Sequence, residues 1–166
     1  MTSAFSKSTT SLPRVAAAVS WILACALIVV GPAMASAQGG RISGAGISKV
    51  GKDTRKLTVA AESGGSTANG SVQFIHNSPS GMSRFRGSVS CMNVSGGTVQ
   101  VSGTVEKGET VSGTLLDGKS YAITIQAGGA PQSFSLPSFG EPASAGSCSG
   151  GRAETVPVTE DGFRIQ

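Results

Sequence analysis

The chain has 166 residues, of which 24 are glycine, 13 are Lys or Arg, 9 are Asp or Glu, and one each is His, Tyr and Trp. That length suits one domain, and this much glycine, at about 1 kcal/mol per interior helix position relative to alanine, excludes a helical bundle. A single histidine leaves few routes to acid–base catalysis or zinc binding, and a formal charge of +4 is too small and too scattered for a nucleic-acid surface.

The first element is a leader. Lys7 and Arg14 precede Val15 to Val30, a run of sixteen mostly apolar residues, and no acidic residue occurs before Asp53. Gly31 and Pro32 then stop a helix, and Ala33-Met-Ala-Ser-Ala37 offers two A-x-A cleavage sites, of which the one between Ala37 and Gln38 leaves a polar start. Residues 1–37 are therefore expected to be a secretory signal peptide and 38–166 a single all-β domain, placed outside the cytoplasm. One rival is an uncleaved membrane anchor, for which about 18 to 25 apolar residues are usual. The other is a lipid-bearing Cys25 behind Ile22-Leu-Ala24, which would leave the apolar ALIVVGPAMA as the new start. Membrane contact is expected only through such a retained or lipidated leader.

Without the leader the formal charge falls to +2 and no tryptophan remains. Lys49, Lys52, Arg55 and Lys56, with Asp53 among them, form the densest basic group, which reads as a solvated loop rather than a phosphate-binding patch.

Three weakly alternating segments, Arg41 to Ile47, Lys56 to Ala61 and Ser71 to His76, are expected as strands, behind a partly loose start over 38–50. His76 stands before the turn cluster Asn77-Ser-Pro-Ser-Gly81 and is expected at the surface. The alternation then strengthens. Phe85, Val89 and Cys91 oppose Arg84, Arg86, Ser88 and Ser90; Val99, Val101, Gly103 and Val105 oppose Thr98, Gln100, Ser102 and Thr104; Tyr121, Ile123 and Ile125 oppose Ser120, Thr124 and Gln126. Side chains of a strand alternate between faces, so each is a half-buried strand of an antiparallel sheet.

Val101-Ser-Gly-Thr-Val-Glu-Lys-Gly-Glu-Thr110 is followed at once by Val111-Ser-Gly-Thr-Leu-Leu-Asp-Gly-Lys-Ser120, a ten-residue repeat. Two copies are too few for a solenoid and read as successive strand-plus-turn units, with turns at Ser95-Gly-Gly97, Lys107-Gly108 and Asp117-Gly118. A four-strand meander from Arg84 to Gln126 is the result. Beyond Ala127, with Pro131, Pro137, Pro142 and Pro157, loops and edge strands are expected over 127–166, including Ser133 to Leu136, a long loop from Phe139 to Arg152, a Glu160-Asp-Gly162 turn, and a last strand, Phe163 to Gln166, that returns to the first. The whole gives an all-β, single antiparallel domain of about seven to nine short strands, a small barrel or sandwich.

Cys91 and Cys148 are the cysteines left after the leader. An even pair in an exported chain suggests a disulfide, worth ~4 kcal/mol on the chain-entropy model, with Cys91 expected to point into the core; the alternative is two free thiols.

The order of these features resembles small secreted bacterial proteins, common in actinobacteria, of unassigned function. The resemblance lies in Gly44 and Gly46, Val89-Ser-Cys91, Val101-Ser-Gly-Thr-Val105, Gly118-Lys-Ser-Tyr121 and the segment Pro131 to Leu136, while Ala127-Gly-Gly129 stands where the pattern would have an aspartate–glycine pair. It implies a secreted β domain and brings no active site.

No catalytic constellation emerges from the residues themselves. Gly146-Ser-Cys-Ser-Gly150 has the spacing of a nucleophile elbow with Cys148 at its centre, yet lacks the helix such an elbow opens, and a flexible loop carrying a disulfide cysteine is the plainer reading. Gly44-Ala-Gly46 lacks the third glycine of a dinucleotide fingerprint. Calcium would find oxygens at Glu160-Asp161 or Glu106 to Glu109, but no D-x-D-x-D-G run is present. The sequons at Asn69 and Asn93 matter only on a eukaryotic secretory route. No catalytic, cofactor or metal residue is therefore assigned. The expected function is a non-catalytic binding or structural β module whose partner is a cell-surface polymer or protein. The alternative is a carrier of a small apolar ligand, lined by Phe74, Ile75, Phe85 and Tyr121, and a small secreted hydrolase comes third.

Overall fold

The computed structural model describes residues 39–64, 67–141, 148 and 154–166. The leader, the Ala37/Gln38 cleavage site, Cys25, and most of the Gly146 to Gly150 loop lie outside the described residues.

Ten strands follow one another: β1 (Arg41–Val50), β2 (Asp53–Gly64), β3 (Thr67–Ser78), β4 (Gly81–Ser95), β5 (Thr98–Glu109), β6 (Ser120–Gln126), β7 (Ser133–Ser135), β8 (Ser138–Gly140), β9 (Thr155–Pro157) and β10 (Glu160–Ile165). They form one antiparallel sheet in the order β10-β1-β2-β3-β4-β5-β6-β7-β9, with β8 added beside β6, curled into a half-barrel. The all-β expectation holds. The last strand does return to the first, and Arg41 and Gln166 exchange main-chain hydrogen bonds of 2.8 Å in both directions. Arg41–Val50 is paired along its whole length with β2, so the start is not loose from Arg41 onward.

The core is the concave face. Ile42, Leu57, Val59, Val72, Phe85, Val89, Val99, Val101, Val105, Ile123, Ile125, Phe134 and Phe163 are all buried there, as period-two alternation requires. Curvature brings inward side chains closer together than a flat sheet would, and inward glycines make the room. A side chain on Gly87 would come within 2.7 Å of the Tyr121 ring, and one on Gly46 within 2.6 Å of Phe163. Tyr121 fills its space with a ring 5.2 Å from that of Phe85 and donates its hydroxyl to the carbonyl of Ser88 at 3.1 Å.

β9 and β10 occupy opposite ends of the strand order yet are joined by Val158 and Thr159 alone. Gln132 closes the seam they leave. Its carbonyl accepts from Val158 N–H at 2.8 Å, its side-chain oxygen accepts from Phe163 N–H at 2.7 Å, and its side-chain nitrogen donates to the carbonyls of Phe163 and Ala127, both at 2.9 Å.

Three local expectations are corrected. Lys107-Gly108 is not a turn: β5 runs through it, because Gly108 faces Phe85 and its missing side chain lets the strands approach. The second repeat accordingly forms no strand. Residues 110–119 are a loop tied by a bridge between Glu109 and Leu115 and by the Asp117-Gly118 turn, where Asp117 Oδ1 accepts from Gly108 N–H at 2.8 Å. The expected four-strand meander is thus β4, β5 and β6.

The third correction concerns Cys91. A register shift between Val89 and Cys91 inserts an extra residue, and the parity reverses: Cys91 lies opposite Ser102 on the outer face, while Met92 takes the core position opposite Val101. Cys91 and Cys148 nevertheless stand at disulfide distance, their Cα atoms 5.5 Å apart.

Candidate functional site at one end of the half-barrel

One end of the half-barrel is built from the β1–β2 turn, the β3–β4 turn, the loop 110–119 and β8. Just inside it, a row crosses four strands in register: Ser48 on β1 opposes Arg55 on β2, Arg55 opposes His76 on β3, and His76 opposes Ser83 on β4. All four share the parity of the core residues on their strands. The row beneath is Gly46, Leu57, Phe74 and Phe85. A polar layer therefore sits directly on an apolar one.

Asp53, two residues before Arg55 and on the same face, accepts from Arg55 Nη2 at 3.2 Å; the same oxygen is 3.5 Å from His76 Nε2. The Arg55 side chain keeps only 16% of its surface exposed. This corrects the solvated-loop reading for Arg55, and the surface reading for His76 as well, since both are drawn inside the end of the half-barrel.

Three atoms of the row, Ser48 Oγ, Arg55 Nε and His76 Nε2, are buried without a hydrogen-bond partner among the described residues. Ser48 is fully buried. A buried polar group left unpaired costs about 1 to 3 kcal/mol; His76 Nε2 has the Asp53 carboxylate 3.5 Å away, so the cost falls on Ser48 Oγ and Arg55 Nε.

Beside His76 and Ser83 opens a pocket of about 180 Å³, lined chiefly by Phe74, Phe85, Leu116, Leu136, Pro137 and Phe139. Phe139 stands edge-on to Phe85 with centroids 5.3 Å apart, at the outer end of the aromatic chain that Phe74 and Tyr121 also join. Ser83 Oγ accepts from Val111 N–H at 2.8 Å, anchoring loop 110–119 over the pocket. Of the residues expected to line a cavity, Phe74 and Phe85 do so, Tyr121 is packed in the core, and Ile75 lies on the opposite parity to Phe74.

The large apolar residues exposed among the described residues are Val50, Met82, Val111, Leu115 and Phe139. All five lie at this same end: Val50 closes β1, Met82 is near the start of β4, Val111 and Leu115 are in the loop 110–119, and Phe139 is in β8.

Burial raises the Tyr121 phenol above its usual value, and the charge of Glu106 adds to the effect. Tyr121 therefore stays neutral and serves packing, not acid–base work. Elsewhere Glu160 pairs with Lys49, Glu106 with Arg86 at 3.1 Å and Glu109 with Arg84 at 3.2 Å. No group of three or more metal-ligating side chains occurs among the described residues. Comparison with protein families, curated proteins and solved structures found no match to this chain.

The row was missed in the sequence because its members are polar residues in inward positions. Strand parity carried one step of two residues beyond Leu57, Phe74 and Phe85, to Arg55, His76 and Ser83, finds it.

Proposed function

We propose that this protein is an exported, non-catalytic binding module that meets its partner with the end of the half-barrel carrying Val50, Met82, Val111, Leu115 and Phe139. The confinement of the exposed large apolar side chains to that end carries the reading, because isolated exposed residues are ordinary whereas several gathered at one end of a sheet mark an interaction surface. The filled core beneath supports a module over a carrier: the apolar pocket holds about 180 Å³, below the ~300 Å³ at which cavities for free small molecules usually begin, and the wider hollows of about 440 and 610 Å³ are lined chiefly by charged, polar and glycine residues.

The test is to titrate an apolar reporter dye against the ¹⁵N-labelled soluble protein and map the perturbed amides. Perturbation centred on 50–53, 81–83, 110–116 and 139, abolished by Leu115→Ser with Phe139→Ser, supports the reading. Perturbation centred elsewhere, or none, overturns it. Export is tested separately by intact mass, which is expected to show a chain beginning at Gln38; a retained leader or a lipid on Cys25 would overturn that part.

A further inference from the structure

We infer that this end of the half-barrel docks on the surface of an anionic lipid bilayer, a route to the membrane that does not use the leader. The inference rests on the reading of this end as the binding surface and names the partner.

The apolar contribution comes from tips. Val50 precedes the β1–β2 turn, Met82 follows the β3–β4 turn, and Val111 lies over that second turn, where a side chain on Gly81 would come within 2.7 Å of it. Leu115, the most exposed of the five at 69%, stands further along the same loop as Val111, and Phe139 in β8. Polar residues separate these tips: Lys52, Ser80, and the linked hydroxyls of Thr110, Ser112 and Thr114. A protein partner would have to offer a shaped hollow to each tip. The boundary between headgroups and acyl chains instead accepts separate apolar side chains, while the hydroxyls between them stay among the headgroups.

Charge selects an anionic surface. Among the described residues, the Lys and Arg side chains outside any ion pair are Arg41, Lys52, Lys56, Lys107 and Arg164. Three of these flank the tips: Lys52 in the β1–β2 turn, Lys56 on the exposed side of β2, and Lys107, which shares a hollow of about 440 Å³ with Leu115, Arg84 and Arg86. The carboxylates nearby are held, Asp53 by Arg55, Glu106 by Arg86, Glu109 by Arg84, Glu141 by Lys119 and Glu160 by Lys49. Asp117, which also lines that hollow, accepts from Gly108 N–H. Glu62, a carboxylate outside any ion pair, lies across from Arg41 at the opposite end. The ion pairs cancel, so three lysines against Asp117 leave surplus positive charge around the apolar tips, the combination that draws a surface helix or loop onto anionic lipid.

The experiment sediments the soluble protein with vesicles of phosphatidylcholine, alone or with about a third phosphatidylglycerol. Binding to the anionic vesicles is expected to be about tenfold tighter than to phosphatidylcholine alone and to weaken as salt is raised. Val111→Ser with Leu115→Ser is expected to weaken it about tenfold or more, and Lys52→Gln with Lys107→Gln about tenfold. Arg41→Gln, which removes one charge at the opposite end, should leave it unchanged. All of these positions are exposed, so the variants keep the fold. No binding to the anionic vesicles, with the dye still mapping to this end, overturns the bilayer as partner and leaves the surface to a protein. No binding with the dye mapping elsewhere overturns inference and surface together. Binding that survives Val111→Ser with Leu115→Ser overturns docking through this end, whether the leader or another face carries it. Equal binding to both kinds of vesicle overturns the selection of anionic lipid.

Discussion

Gln132 and Phe163 exchange a reciprocal pair of hydrogen bonds, Phe163 N–H to Gln132 Oε1 at 2.7 Å and Gln132 Nε2 to the Phe163 carbonyl at 2.9 Å. A side-chain amide here does what a backbone peptide does between antiparallel strands, and it does so where the sheet has no further strand to offer. Gln132→Ala is expected to lower stability by about 1 to 3 kcal/mol. Gln132→Glu should cost a similar amount, since a carboxylate accepts from Phe163 N–H but cannot donate to the carbonyls of Phe163 and Ala127. Chemical denaturation of the two variants checks this, and unchanged midpoints would show that the seam is held elsewhere.

Gly46 makes room for Phe163 and Val158, whose atoms would lie 2.6 and 3.0 Å from an added side chain. Gly46→Ala is therefore expected to cost about 1 to 3 kcal/mol through overpacking. Phe163→Leu in the same chain should recover part of that loss. A double-mutant cycle measures the coupling, and strict additivity would mean that the two positions do not compete for the same space.

The Cys91–Cys148 link holds the outer face of β4 to a segment far along the chain, at a sequence separation of 57. Non-reducing peptide mapping is expected to find them joined. Cys91→Ser should lower stability by about 2 to 5 kcal/mol and make residues 140–155 the first site of proteolysis. Two titratable thiols in the folded, oxidised protein would refute the link.

Tyr121 is the chain's single tyrosine, so its ionisation can be followed alone by absorbance. Burial raises its pKa in the fold above the ordinary value of 10.0. For a group whose pKa is raised by folding, stability is fully present below the unfolded value and drains away as pH rises past it. The protein should therefore keep constant stability up to about pH 10 and lose it progressively above, with tyrosinate appearing only together with unfolding. Tyrosinate forming near pH 10 in a chain still folded by circular dichroism would contradict this. Tyr121→Phe should flatten the alkaline limb at the expense of the hydrogen bond to Ser88.

Much of the sheet was legible because its strands follow one rule, apolar residues at every second position. Thr98 to Val105 and Tyr121 to Ile125 obey it without interruption and fall where expected. The failures share a cause, in that each depends on a partner strand rather than on the segment itself. The extra residue before Cys91 reverses parity only in register with Gly103 and Ser102. Gly108 looks like a turn glycine until Phe85 is placed opposite it. Arg55 and His76 look like surface residues because each is polar and close to a turn, and only the parity of Leu57 and Phe74, two residues away, marks them as inward. The candidate site was illegible for that reason, being a row drawn across four strands far apart in sequence.

The pairing of β10 with β1 also governs when the fold can finish. Arg41 finds its outer hydrogen-bond partner in Gln166, just past β10, so the first strand keeps a bare edge until β10 is in place. Loop-closure entropy makes pairing between strands so far apart in sequence slow. The seam at Gln132 cannot form sooner either, because Phe163 belongs to the same late strand. Until β10 docks, the chain thus remains an open, unlatched sheet, and Glu160–Ile165 act as the key that turns it into a finished half-barrel.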